Sequence, residues 1–192
     1  MVELNDYHPF FNQIHPISEE DFALFCQHLK PKEAKKGSFL LAPGEVQKTM
    51  YLVRDGVQMS FYESEKNLHV MAFTYAPSFC AIPESFSLQQ ESKAYLQCLT
   101  DSSFWSLSFD ELQEIFSQSR ALETLFRKMT EHVLAGIIER HVQLHSSSIE
   151  ERFTQFCQRS APLLHVIPHK YIASYLHIDP TNFSKLFNRV KF

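Results

Sequence analysis

Residues 167–192 read Ile167-Pro-His-Lys-Tyr-Ile-Ala-Ser-Tyr-Leu-His-Ile-Asp-Pro-Thr-Asn-Phe-Ser-Lys-Leu-Phe-Asn-Arg-Val-Lys-Phe192. Ile172, Tyr175 and Leu176 stand at i, i+3 and i+4, one apolar stripe of a helix. Asp179 supplies an oxygen for the orphan N–H groups of a second helix, and Pro180 suits its first position. Phe183, Leu186, Phe187 and Val190 then recur at i, i+3, i+4 and i+7, a second inward face. Small Ala173 lets two crossing helices come close. Two short helices joined by a three-residue turn, the second one capped, make a helix-turn-helix. The turn position that usually takes glycine is His177, a residue that tolerates left-handed backbone better than bulky ones do.

The outer face of the second helix carries Thr181, Asn182, Lys185, Asn188 and Arg189. All are hydrogen-bonding or cationic and none is a carboxylate, so phosphate would not be repelled. A plain helical hairpin with a solvated polar side is the bland alternative. The net charge of −4 is unevenly spread: residues 1–148 hold 12 Lys/Arg against 19 Asp/Glu, and residues 149–192 hold 6 against 3. The positive end is the end with the two helices, as a DNA partner requires. Its excess of basic residues is modest, so two copies would bind better than one.

Composition bounds the other classes. At 192 residues, 44% hydrophobic and 14% aromatic, with 18 Phe, the chain can bury one large core or two small ones. No run approaches the roughly eighteen apolar residues of a membrane span. The opening Met-Val-Glu-Leu-Asn-Asp has neither a basic nor an apolar stretch, so no secretion signal and a cytoplasmic location are expected. Cys26, Cys80, Cys98 and Cys157 show no C-x-x-C spacing, which disfavours zinc ribbons and iron–sulfur clusters and leaves buried free thiols. His141 and His145 have a metal-ligand spacing but lack the H-E-x-x-H form, and a helix surface or dimer seam explains them more simply. With no G-x-S-x-G, P-loop or glycine-rich nucleotide turn, neither an enzyme nor a cofactor is expected.

Upstream, Ser18-Glu-Glu-Asp21 resembles a capping box, followed at helical spacing by Phe22, Leu24, Phe25 and Leu29, with Pro31 as the expected stop. From Gly37 to Leu107 the pattern changes to short strands, at 38–41, 50–53, 58–62, 68–73, 95–99 and 104–107, broken by turn signals that include Pro43-Gly44, Asp55-Gly56 and Glu65-Lys66-Asn67. Val57, Met59 and Phe61 alternate with Gln58 and Ser60, as in a half-buried strand. Six or more such strands imply an antiparallel sandwich or jelly-roll barrel.

Ser108-Phe-Asp-Glu111 is a second capping box. The longest helical signal covers residues 120–145. There Leu122, Phe126, Met129, Val133, Gly136 and Arg140 step by fours and threes like a short coiled-coil seam, beside a stripe of Leu125, Leu134, Ile138 and His141. Such a helix can pack on its own barrel and on a second copy, through Phe126, Met129, Val133, Gly136 and Ile137. Gly136 costs about 1 kcal/mol in a helix interior, which close backbone approach in a dimer would explain. An amphipathic helix on a monomer is the alternative. Residues 146–148 are the best domain boundary, and Ser148-Ile-Glu-Glu151 caps a helix to about residue 159, closed by Pro162.

A barrel, a long helix and a helix-turn-helix in that order resemble the Crp/Fnr superfamily of bacterial transcription regulators, the relatives of the cyclic AMP receptor protein. The resemblance rests on Gly37-Ser-Phe-Leu-Leu-Ala-Pro-Gly44-Glu45 and Met50-Tyr-Leu-Val-Arg-Asp-Gly56 in the barrel. At the other end it rests on Lys170-Tyr-Ile-Ala-Ser-Tyr-Leu and Asp179-Pro-Thr-Asn-Phe-Ser-Lys. It implies an α+β fold: an N-terminal antiparallel jelly-roll domain of the cyclic-nucleotide-binding type at 1–118, a dimerisation helix at 119–146 and a helix-turn-helix domain at 147–192. It implies double-stranded DNA with a pseudo-palindromic operator as one partner and a second copy of the chain as the other. Thr181 and Lys185 fall where base edges are faced, and His169 and Lys170 where phosphates are held, with Asn182 and Arg189 on the same helix. The family's second wing is expected to be missing, since the sequence stops at Phe192. In the ligand cassette the family's Gly-Glu and Arg-Ser/Thr-Ala correspond to Cys80-Ala-Ile-Pro-Glu84-Ser85 and Ser92-Lys93-Ala94. Ser92 replaces the phosphate-pairing arginine and Lys93 offers only a point charge one residue over. An unidentified small-molecule effector other than cyclic AMP is therefore expected around Glu84, Ser85, Ser92 and Lys93. The competing expectation is a non-enzymatic interaction or scaffold module whose helix-turn-helix no longer reads DNA.

Overall fold

The computed structural model describes residues 1–65 and 67–189. Lys66, in the third of the quoted turn signals, and Val190, the last position of the second helix's apolar face, lie outside the described residues. The chain is α+β. The strands β1 (Lys30–Ala34), β2 (Phe39–Leu41), β3 (Thr49–Asp55), β4 (Val57–Glu63), β5 (Leu68–Tyr75), β6 (Phe79–Cys80), β7 (Tyr95–Cys98) and β8 (Ser102–Ser108) form two antiparallel sheets. Their orders are β1-β8-β3-β6 and β2-β7-β4-β5. Gly56 turns β3 into β4 with φ of 90°, and a Cβ there would stand 2.6 Å from the Asp101 carbonyl oxygen, so glycine is required.

Helices flank the sheets: α1 (Tyr7–Ile14), α2 (Glu19–Gln27), α3 (Pro83–Leu88), α4 (Phe109–Gln118), α5 (Arg120–Ser146), α6 (Ile149–Ser160), α7 (Leu163–Val166), α8 (His169–Leu176) and α9 (Pro180–Arg189). The three capping boxes form as expected. Ser18, Ser108 and Ser148 each accept from the backbone N–H three residues on, and Asp21, Glu111 and Glu151 reach back. Ser119 caps α5, accepting from the Leu122 N–H and donating to Asp21 of α2. Among the described residues no helix is long and apolar enough to cross a membrane.

Two expectations are corrected. Pro31 does not end α2, which stops at Gln27; it sits in β1, at the edge of its sheet, where a missing N–H costs nothing. Strands β1 and β6 and helices α1, α3 and α7 lie outside the expected elements, although α1 carries a helical spacing in Tyr7, Phe10, Phe11 and Ile14. Strand β4 is not half-exposed: from Val57 to Phe61 it is buried on both faces. Val57, Met59 and Phe61 pack toward α6, α8 and α9, while Gln58 turns between the sheets and donates from Nε2 to Ser102 Oγ (3.0 Å).

The packing forms three clusters. Between the sheets lie Leu41, Tyr51, Val53, Leu96 and Phe104, with the free thiols Cys80 and Cys98, whose pKa values burial raises. Cys26 and Cys157 are free and only half-buried. A second cluster joins α1, α2, α4 and the start of α5 around Tyr7, Phe11, Phe25, Leu122 and Leu125. The third ties the outer side of β4 and β5 to Phe153, Phe156, Ile172 and Phe183. Here α8 docks on β5, the edge of its sheet: the Val70 N–H donates to Ser174 Oγ (3.1 Å), and that hydroxyl donates to the Leu68 carbonyl (2.8 Å).

Candidate nucleic-acid interface

Helix α8 ends because His177 enters the left-handed region, with φ of 54° and ψ of 49°. The His177 N–H donates to Ser174 O (3.1 Å) and the Ile178 N–H to Ala173 O (2.9 Å), with Ile178 buried beside them. This double bond pattern with an apolar contact satisfies the carbonyls at the helix end. Histidine thus takes the glycine conformation at the turn. Asp179 then caps α9, its Oδ1 accepting from the Thr181 N–H (2.8 Å) and the Asn182 N–H (3.4 Å). Phe183 and Leu186 are buried, which turns Thr181, Asn182, Lys185, Asn188 and Arg189 to the surface, where all five are exposed. Lys170, at the start of α8, is exposed too, its Nζ 5.0 Å from the centroid of the Tyr171 ring.

His169 does not join them. Its Nε2 lies 3.0 Å from the Leu164 carbonyl, and its ring packs on Phe183 and Phe187, at 5.4 and 4.3 Å between centroids. It fastens α7 and α8 to α9 from within, a role the sequence position alone hides.

Arg152, which sequence reasoning missed, braces the turn. From α6 its guanidinium donates to the carbonyls of Leu176 (3.0 Å), Ser147 (2.6 Å) and His177 (3.3 Å). Arg140 of α5 donates to Met71 O (3.0 Å) on β5 and to Tyr175 O on α8, and its guanidinium carbon lies 3.5 Å from the centroid of the Tyr175 ring. Arg140 therefore faces its own chain, not the seam that its spacing implied. No motif marks either arginine, because both bond to backbone carbonyls that any residue supplies.

The expected seam divides in two. Leu122 is wholly buried, and Phe126 and Met129 pack against the same cluster. The Phe126 ring lies 5.3 Å from both Phe79 and Phe116 and 5.9 Å from Phe25. Phe126 and Met129 are thus engaged by the chain's own core, because α1, α2 and α4 reach this part of α5. Beyond Thr130 they do not. Val133, Leu134, Ile137, Ile138 and Val142 are between 49% and 58% exposed, and Gly136 faces open space. Leu134 and Ile138, expected against the barrel, are bare. His141 and His145 sit edge to face at 4.6 Å on the exposed helix, and among the described residues no group of three or more potential metal ligands assembles.

The four expected effector residues do not converge. Ser85 is buried, with Oγ accepting from the Gln47 N–H (2.9 Å) and donating to Gln90 O (2.8 Å). Ser92 is buried, its Oγ bonded to the Ala94 N–H and carbonyl. Glu84 and Lys93 point to solvent. A cleft of about 290 Å³ nearby is lined by Leu41, Gln47, Lys48 and Tyr51, among others, and by none of the four. Both hydroxyls hold loops in place, which leaves neither for a ligand.

No protein-family model matches the sequence, and no curated protein does. Solved structures do match. One is a putative transcriptional regulator of the Crp/Fnr family from Eubacterium rectale, with 15% identity, 96% of this chain and 87% of that one covered, and a TM-score of 0.70. Another is FixK2 from Bradyrhizobium japonicum, with 15% identity over 84% of this chain and 83% of that one, and a TM-score of 0.73. A third is the catabolite activator protein of Thermus thermophilus, with 16% identity over 92% and 84%, and a TM-score of 0.58. With the long helix between a two-sheet unit and a capped helix pair, the chain has the fold of the Crp/Fnr transcription regulators.

Proposed function

We propose that this protein is a homodimeric, sequence-specific DNA-binding transcription regulator of the Crp/Fnr type that acts in the cytoplasm. Residues 1–118 serve as a jelly-roll sensor, 119–146 as the dimerisation helix and 147–192 as the helix-turn-helix unit. The observation that carries this reading is the outer face of α9: five exposed donors and cations with no carboxylate, on a helix whose other face is buried. The left-handed His177 supports it further, since the turn geometry is intact despite the missing glycine.

In this reading Thr181, Asn182, Lys185 and Arg189 face the major groove and Lys170 touches phosphate. The exposed apolar half of α5, with Val133, Gly136 and Ile137, joins two copies. The two recognition helices then enter successive grooves about 34 Å apart on a pseudo-palindromic site. Cyclic AMP is not the effector: Ser92 offers no phosphate-pairing charge, and its hydroxyl is already bonded.

Fluorescence anisotropy across a salt series, on a selected site and on scrambled DNA, tests the assignment. Lys185→Ala should cost roughly 1–3 kcal/mol on the selected site and relax specificity at one position per half-site. Lys170→Ala should weaken binding to all sequences alike and lower the salt slope by about one. Equal weak binding to both DNAs, indifferent to Lys185→Ala, would leave a protein-interaction module instead.

A further inference from the structure

Between α5, α6 and α8 lies a cleft of about 320 Å³, lined by none of the residues that the DNA-binding reading places on DNA. Its walls carry Arg140, Arg152 and Arg159. Two of them grip one tyrosine: Arg140 lies over the Tyr175 ring, and Arg159 donates to the Tyr175 hydroxyl (2.8 Å). Every hydrogen bond of the three guanidiniums goes to a neutral oxygen, either a backbone carbonyl or that hydroxyl. Among the described residues none of the three forms an ion pair. One carboxylate, Glu139, borders the cleft, and it is held by Gln143 Nε2 at 3.1 Å.

We infer that this cleft is a binding site for a small phosphate-bearing molecule. A guanidinium has five N–H donors, so after the bonds just named each of the three retains at least two. The carbonyls fix where the arginines stand without neutralising them, which leaves a preorganised cluster of positive charge. Burial lowers the Arg140 pKa; Tyr175 acts against that and the neighbouring Arg159 charge acts with it. Three planar forks arriving from two helices suit the several oxygens of a phosphate; the two oxygens of a carboxylate would occupy only one fork. The volume sits at the small end of ligand sites, roughly 300–1,000 Å³, which suits a phosphorylated metabolite. Because Arg140 also holds the Met71 and Tyr175 carbonyls, occupancy of the cleft and docking of α8 on β5 share one side chain. The site stands whether or not α9 reads DNA.

Titration calorimetry of the full chain with pyrophosphate, in phosphate-free buffer at physiological ionic strength, tests it. Saturable binding of one pyrophosphate per chain is expected. Arg159→Gln should weaken it about tenfold or more, the worth of a charged hydrogen bond. Arg159 is exposed and makes one protein bond, so this variant should fold, and an unchanged melting profile checks that it does. Arg152→Gln should weaken binding as well, and Lys185→Ala should leave it unchanged. Absence of saturable heat would overturn the site. So would binding lost in Lys185→Ala but kept in Arg159→Gln, which would put the anion on the outer face of α9. Succinate binding as tightly as pyrophosphate would overturn the phosphate assignment.

Discussion

Along α5, Leu122 and Leu125 are wholly buried, whereas one and a half turns past Met129 the helix carries Leu134, Ile137, Ile138 and Val142 about half exposed. The apolar spacing hardly changes between the two halves. What changes is the company: α1, α2 and α4 cover the first half, and among the described residues none of them covers the apolar face of the second, whose contacts with β5 and α8 run through Arg140. Periodicity reports that a helix has a face to bury, not what will bury it. The first half should therefore answer to mutation as a protein interior does, and the second as an interface does.

The largest effect should come from placing charge in the second half. Val133→Glu together with Ile137→Glu would bury unpaired carboxylates in the dimer, at about 3–5 kcal/mol each. Sedimentation should show a monomer, with melting of the single chain little altered. A wild type already monomeric at tens of micromolar would erase the distinction between the halves. Next, Leu125→Ala in the covered half should cost about 2–5 kcal/mol in urea unfolding, without changing monomer–dimer affinity measured where the chain is folded.

Ser119→Ala removes the cap that starts the covered half, and should cost about 1 kcal/mol. It also has a pH signature. The Ser119 hydroxyl holds the Asp21 pKa below its ordinary value, with the Ser18 contacts acting the same way. A depressed carboxylate stabilises the fold above its unfolded pKa and loses that contribution as pH falls through the lower, folded value. The gap between wild type and Ser119→Ala should therefore be full at neutral pH and shrink below about pH 4. Urea midpoints measured at both ends of that range would show it. The smallest effect is expected from Gly136→Ala. An added Cβ meets open space in the single chain, so the helix should gain up to about 1 kcal/mol. If the backbones meet closely at Gly136 in the dimer, the same substitution should weaken association, and a dimer strengthened by alanine would refute that packing.

Much of the architecture was legible where a local rule carries it. The capping boxes at Ser18, Ser108 and Ser148, the length of α5, the left-handed His177 and the Asp179 cap each follow from chemistry within a few residues. The outer face of α9 was readable for the same reason, since one amphipathic period sorts Phe183 from Lys185. What escaped depends on distant partners. The polar side of β4 faces inward because a second sheet covers it, and Gln58 finds Ser102 across that gap. His169 turns in because α7, too short to read, brings the Leu164 carbonyl to it. Arg140, Arg152 and Arg159 meet only once α5 and α6 fold back along α8, and their partners are carbonyls without a sequence signature.

The hydroxyl of Ser174, set between Leu68 O and Val70 N–H, has a consequence for solubility. Strand β5 is a sheet edge, and an uncovered edge presents a row of backbone groups that another strand can join. One serine on α8 occupies part of that row, as a neighbouring strand would. Any rearrangement that lifts the helix pair off the barrel must bare this edge, so freedom of the DNA-reading unit and exposure to strand-mediated aggregation rise together.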